Sequence, residues 1–466
     1  MIRPFTLTGA LLLPVTAEPF AGWMAVGADG RIAGLGEGEP AVVLGDRVDV
    51  SGCLVAPGFV SAHSHLFTAG MRGMTPDSTL YPWVAAQTDF MAGADEDDVY
   101  WATLHGAIDA MRAGVTSAYN FLSAPFVTRY DPGSDSRTLL AHRGRAFTHR
   151  QIAAARDAGL RMQNAMRLDP ILVDRAESDA AFDAAVAYLD SEVPDDLSLG
   201  ASVFGAVQWA EHAVQAEVEV SAMDRHGIGN QAHLLETAEA LHQQRAKLDW
   251  YRDAGALRPG FLAGHFIHPD DAIVDLLADA GAGMVWQPMS NGRLGSGIAD
   301  IPAYLARGMS VGMGVDDQSC TDLIDPFENM RTGLGMQRAA ARDAAVLSAR
   351  DVLRLHTLGG AEAMGVAGRV GSLDVGKHAD FLVVDPARPD TGPVWDATAH
   401  YVLACGQQNV AAVYSGGVRV AADGRSLHPL AGDAAAALHE RSVRLGTAIG
   451  LPAPAIRPAD ERPRLP

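Results

Sequence analysis

Four times along this chain of 466 residues a short apolar run closes on a histidine or an aspartate: Phe59 to His65, Gly227 to His233, Phe261 to His265 and Ser310 to Asp316. Side chains alternate along a strand, so His63-Ser64-His65 puts two imidazoles on one face at the strand's C-terminal end. Short apolar runs that end on a polar residue read as parallel strands that deliver functional side chains from their C-terminal ends. Val115 to Tyr119, Leu160 to Met166, Leu197 to Phe204 and Gly283 to Trp286 bring the candidate strands to eight. Helical patterns fall between them. Glu96 to Arg112, for instance, opens on a cluster of acids and ends before Gly114. Eight such units predict a (β/α)8 barrel with its site at the C-terminal face of the strands.

The two ends of the chain follow a different pattern. Residues 1–56 are strand-rich and turn-rich, with breaks at Gly27-Ala28-Asp29-Gly30 and Gly36-Glu37-Gly38, and are too short for a core of their own. Phe381 to Asp385 and Val410 to Gly417 again read as strands. The expected architecture is therefore an α/β chain: a TIM barrel over 57–367 and a small β-sandwich built from 1–56 and 368–428. A C-terminal helix, Asp433 to Ala448, and a Pro-rich tail, Pro452 to Pro466, occupy 429–466. Residues 120 to 150, rich in Asp, Gly, Ser and Arg, read as a long loop with a helical piece, placed where a lid or specificity loop would lie.

A net charge of −20 argues against nucleic acid or an acidic membrane surface as partner. The three cysteines, Cys53, Cys320 and Cys405, are odd in number and not spaced as a clip, which points to a reducing, cytoplasmic setting. The apolar opening Thr6 to Val15 lacks a charged start and a cleavage site, and reads as a first strand instead of a signal peptide. No run reaches the roughly 18 apolar residues of a membrane helix.

Three segments carry a resemblance beyond spacing: Ala56-Pro57-Gly58-Phe59-Val60-Ser61-Ala62-His63-Ser64-His65, His233-Leu234-Leu235-Glu236-Thr237, and Pro288-Met289-Ser290-Asn291-Gly292. With Gly371-Ser372-Leu373-Asp374-Val375-Gly376-Lys377-His378-Ala379-Asp380 they resemble, in order, the amidohydrolase superfamily, in its branch of guanine, S-adenosylhomocysteine and cytosine deaminases and s-triazine hydrolases. The resemblance implies His63, His65 and His233 as metal ligands and Asp316 as both ligand and proton acceptor from water. It further implies His265 as the residue that orients water or substrate and Glu236 as a proton shuttle to a ring nitrogen. A homo-oligomer is also implied. Two positions depart from the family pattern: Trp286 stands where many relatives have histidine, and Asp317 follows Asp316 where glycine is usual.

Three imidazoles and a carboxylate suit one Zn²⁺ per subunit with a position left for water, and Fe²⁺ or Mn²⁺ fit the same mixed set. Such an ion lowers the pKa of water from about 15.7 towards about 7. Two-metal relatives bridge their ions with a fourth-strand lysine, whereas this chain has only Lys247 and Lys377, neither within 197–204, so one ion is expected. The small-molecule substrate is expected to meet Trp83, Trp286 and Asp317, with Phe67 and Met71 as further wall candidates. Asp317 is expected to bind an amine-bearing substrate or to be held by an arginine. Ser290 and Asn291 read as turn builders, and His268 competes with His265. The leading expectation is deamination of an N-heterocycle. Hydrolysis of an amide, urea or carbamate on the same centre is the alternative, and a non-catalytic scaffold the third reading.

Overall fold

The computed structural model describes residues 1–387 and 391–452. The Pro-rich tail beyond Pro452 lies outside them. Among the described residues no helix is long and apolar enough to cross a membrane.

Two nine-stranded sheets organise the chain. The first takes its strands from the middle of the sequence, all parallel: Phe59–His65, Val115–Phe121, Arg161–Met166, Ser198–Gly205, Gly229–Leu234, Phe261–His265, Gly283–Trp286 and Val311–Met313. Its last stave is split. Val311–Met313 pairs with Gly283–Trp286, and after Gly314 and Val315 the same segment resumes as Asp316–Asp317, which pairs in parallel with Ser64 and His65 of the first strand. The ladder thereby returns to the strand on which it began, giving a TIM-barrel-like α/β fold. Every residue of the first two strands is buried, as apolar runs flanked by helices require.

Gly314 explains the split. A Cβ there would lie 2.6 Å from His63 Cβ and 2.8 Å from the His63 backbone nitrogen. Only a residue without a side chain lets the last stave pass the first at the height of the histidine.

Helix α1, Leu80–Ala92, leans over the mouth of this sheet, and α2, Glu96–Arg112, connects its first two strands. The start of α2 is fixed by a capping box. Asp95 accepts from the backbone of Asp97 and Asp98, and Asp98 accepts in return from Asp95 N at 2.8 Å.

The second sheet draws both chain ends together. Leu54–Pro57 lies between Phe5–Leu12, with which it is parallel, and Phe381–Val384, with which it is antiparallel. Leu7, Leu12, Met24, Val55, Phe381 and Val383 form its apolar core. Only Gly58 separates Leu54–Pro57 from the first barrel strand, and a Cβ there would strike Thr116 Oγ1 at 2.1 Å. The C-terminal helix, Ala431–Ala448, packs on α2, where Arg441 Nη1 donates to Asp98 at 2.8 Å and Arg444 binds the same carboxylate.

Residues 120–150 contain the expected helical piece, but the rest is a hairpin and not a long loop. Phe126–Asp131 and Ser136–His142 form an antiparallel hairpin, and Ala146–Ala158 is a helix. The polar composition misleads because one of its charges, Arg137, is a buried partner, while Arg129, Asp131 and Arg145 sit on the solvated side of an ordered element. Arg137, with its side chain fully buried, donates to Asp169 at 2.5 Å and to Glu211 at 2.8 Å, and Lys247 binds Asp135 and donates to Gln208 O at 3.1 Å.

Candidate active site

The strand ends converge. His63 Nε2 and His65 Nε2 lie 3.2 Å apart, His65 Nε2 and His233 Nε2 also 3.2 Å, and Asp316 Oδ1 stands 3.4 Å from His63 Nε2 and 3.7 Å from His65 Nε2. Ligand nitrogens about 2.0–2.1 Å from a tetrahedral ion stand about 3.3 Å from one another, so these separations are those of a metal-ligand shell. The donor chemistry agrees. Burial first, then the neighbouring His63, lowers His65 to about 3, and the same two causes hold His233 well below the ordinary histidine range. Ring nitrogens that face each other with bare lone pairs repel unless a proton or a cation lies between them. Burial raises Asp316, but His63, His265 and His65 outweigh it and keep the carboxyl well below its usual range.

Neighbours that the sequence does not advertise set the orientation of these candidate ligands. Gln231, two residues before His233 on the same strand face, donates from Nε2 to Ala62 O at 3.0 Å, so its Oε1 must accept from His63 Nδ1 at 2.5 Å. His63 is thereby fixed as the tautomer with a bare Nε2. The ring of Phe121 lies 4.6 to 5.0 Å from the rings of His63, His65 and His233, stacking on His65 at 13°. It packs all three imidazoles from one side.

His265 joins the group from the next strand, with Nε2 3.9 Å from Asp316 Oδ2 and Nδ1 3.7 Å from Glu236 Oε1. Asn291 Nδ2 donates to His265 Nδ1 at 2.8 Å, so Asn291 is more than a turn builder: it leaves the ring hydrogen on Nε2, towards Asp316. Ser290, by contrast, does close its turn, donating to Gln287 O at 3.1 Å. His268 is turned away, bonded to Ser296 O at 2.7 Å. Leu235, His265, Phe266 and Asp316 all have positive φ, between 46° and 64°. Strain of this kind, gathered where strands deliver polar groups, accompanies functional sites.

Glu236 is buried, and its Oε2 has no partner among the described residues. Burial, and then Asp316, push its carboxyl well above the usual range. It faces the same cavity as His65, His233, His265 and Asp316, a space of about 960 Å³ including its open mouth.

The cavity walls are mostly apolar and come largely from two elements. Leu80, Trp83, Val84, Gln87, Thr88 and Met91 form one stripe of α1, and the hairpin adds Phe126, Val127, Thr128 and Tyr130. Trp83 and Phe67 are on this wall. Trp286 is not. It is 1% exposed, with its ring against Gly333 and Pro288 in the core, because its short strand turns it outward to the surrounding helices. Met71 also lies off the cavity, in the cluster with Phe90 and Leu445. Asp317 lines the cavity and is held by Gln87 and Ser319, not by an arginine. Burial, then Asp316, raise its carboxyl.

The amidohydrolase family model matches residues 54–420. A 5-methylthioadenosine/S-adenosylhomocysteine deaminase of Syntrophobacter fumaroxidans is 30% identical over 393 residues, covering 78% of this chain and 79% of the relative. Among solved structures, an adenosine deaminase from Xanthomonas campestris with bound zinc superposes with a TM-score of 0.81 at 22% identity, covering 95% of this chain and 98% of that one. Guanine deaminase of E. coli gives 0.71 at 18% identity, covering 90% and 99%.

Proposed function

Because the chain belongs to the amidohydrolase family, we propose that it is a mononuclear aminohydrolase that removes an amine from the ring carbon of an N-heterocyclic small molecule, with 6-aminopurine derivatives the first class to try. The observation that carries this reading is the gathering of His63, His65 and Asp316, and of His63, His233 and His265, at metal-ligand spacing beside a cavity that also holds a buried, unpartnered Glu236 oxygen. Zn²⁺ suits three imidazoles and one carboxylate, with Fe²⁺ and Mn²⁺ as substitutes. Neither lysine competes for a bridging role, since Lys247 lies on a helix bound to Asp135 and Lys377 lies outside the strands. When bound, the ion supplies a water acidic enough to lose a proton near neutral pH.

The protein's own groups divide the proton work. Asp316, held ionised, is the base that takes the proton from the attacking water. Glu236, held protonated, gives its proton to the ring nitrogen beside the attacked carbon and so makes that carbon electrophilic. His265, set by Asn291, steadies the charge that develops there. Trp83 flanks the heterocycle from α1.

The same reading includes closure of the barrel to eight staves, folding of the terminal sheet into a sandwich, domain limits near 57 and 367, and a cytoplasmic homo-oligomer. Cys53, Cys320 and Cys405 are all free, in keeping with a reducing compartment.

The test is ammonia release by zinc-loaded protein from a panel of purines, pterins, pyrimidines and triazines. Release from at least one class, reduced about 10²–10⁴-fold in Glu236→Gln at unchanged metal content, is expected. No release from any class refutes the reading.

A further inference from the structure

We infer that Gln87 is a specificity-determining residue, its carboxamide oriented by Asp317 so that it offers the substrate a hydrogen-bond acceptor. The inference rests on the heterocycle-deaminase reading and goes beyond it by assigning the polarity of one cavity wall.

Asp317 is occupied by donors of the protein itself. Its Oδ1 accepts from both Ser319 N and Ser319 Oγ, each at 2.6 Å. Its Oδ2 accepts from Gln87 Nε2, also at 2.6 Å. The side chain is buried, and each of these hydrogens is donated to it. Asp317 therefore spends its oxygens on protein partners and fixes which end of the Gln87 amide faces it. The other end, Oε1, accepts no hydrogen bond among the described residues, and Gln87 lines the cavity. A carboxamide held by its nitrogen presents its oxygen, so this wall asks for an N–H or amino donor.

The support for α1 is doubled one turn earlier. Trp83 Nε1 donates to Ser319 O at 3.0 Å, so the indole and the carboxamide are both tied to the segment that follows Asp316. The departure from the family pattern at position 317 thus has a physical role, since the glycine usual there could not orient Gln87. Gln87 shares this wall with the apolar side chains of Leu80, Val84 and Met91, so a polar edge of the substrate left unmatched there loses a hydrogen bond in largely apolar surroundings, the condition under which a single hydrogen bond discriminates strongly.

The geometry can be inverted. In Asp317→Asn the oxygen must stay with Ser319, which supplies two donors, so the new amide nitrogen faces Gln87. Gln87 must then accept with Oε1 and turn Nε2 into the cavity. The wall changes from acceptor to donor with almost no change in shape.

The experiment measures equilibrium binding to zinc-loaded protein of 6-oxopurines that carry either an amino or an oxo group at carbon 2 or at carbon 8. The wild type is expected to prefer amino over oxo by about tenfold or more at one of these positions. Asp317→Asn should reverse that preference. Gln87→Met, a variant remote from the metal ligands, should bring the ratio close to one. If the probes bind but neither variant shifts the ratio at any position, the inference is wrong and the deaminase reading stands. If no probe binds the wild type, this assignment falls, while ammonia release from the wider heterocycle panel decides the deaminase reading separately.

Discussion

Gln231 Oε1 accepts from His63 Nδ1 at 2.5 Å while Gln231 Nε2 donates to Ala62 O on the same strand as His63. One carboxamide thus reads both the ring and the backbone of the first stave from the fifth. The imidazole can neither rotate nor change tautomer without breaking a buried bond.

Gln231→Leu should therefore weaken metal binding by about 10- to 100-fold, the usual cost of losing a partner behind a ligand, while the fold persists. Competition with a chelator of known affinity measures this. Undiminished affinity would show that the bond has no part in orienting His63.

His233→Ala should purify without stoichiometric metal, because it removes one of the Nε2 atoms that stand 3.2 Å apart. Elemental analysis gives the answer directly. In the unmutated protein, chelation should lower the melting temperature, since an ion that binds only the folded state at 100 times its Kd contributes about 2.7 kcal/mol.

Arg137→Met removes the guanidinium shared by Glu211 and the wholly buried Asp169, and leaves Asp169 with Arg167 at 3.7 Å. A loss of about 3–5 kcal/mol is expected, readable in a urea titration, together with weaker substrate binding as the hairpin bearing Tyr130 loosens. A loss below about 1 kcal/mol would mean that the hairpin is held by its apolar face alone.

Burial raises the carboxyl of Asp98, but Arg444, the Asp95 N–H and Arg441 outweigh it, and the group titrates below its ordinary 3.8. A carboxyl lowered by folding stabilises fully above its unfolded pKa and loses that contribution as pH falls through the folded one. Asp98→Asn should accordingly flatten the acid limb of melting temperature against pH below about pH 4 and lower the plateau at neutral pH. An acid limb identical to the wild type would remove Asp98 from the account of how the C-terminal helix is fastened.

The strands of the barrel were legible because burial on both faces writes itself as mostly apolar or small residues: Phe59–His65, Phe261–His265 and Gly283–Trp286 have the limits that the sequence indicates. His63, His65, His233 and Asp316 were legible because each ends such a run. Trp286 misled for a related reason. On a strand of four residues one step of alternation decides between cavity and core, and nothing local marks which face is which. The hairpin was hidden because Arg137, Asp135 and Lys247 find their partners far away in sequence, and a buried ion pair has the composition of a solvated loop. Gln231, Asn291 and Gln87 carry no signature as single residues. Only Gln231 left a hint, a carboxamide in the middle of a buried strand.

Gly314 sits where the last stave passes the first, within van der Waals range of His63. The narrowest joint of the scaffold and the anchorage of a candidate ion-binding imidazole are therefore one place. Anyone retuning this protein for a larger ion or a new reaction has freedom along α1 and the hairpin, where walls can be exchanged without touching the frame. At 314 there is none: even a methyl group displaces the histidine and parts the ring together, so architecture and chemistry would be lost in a single step.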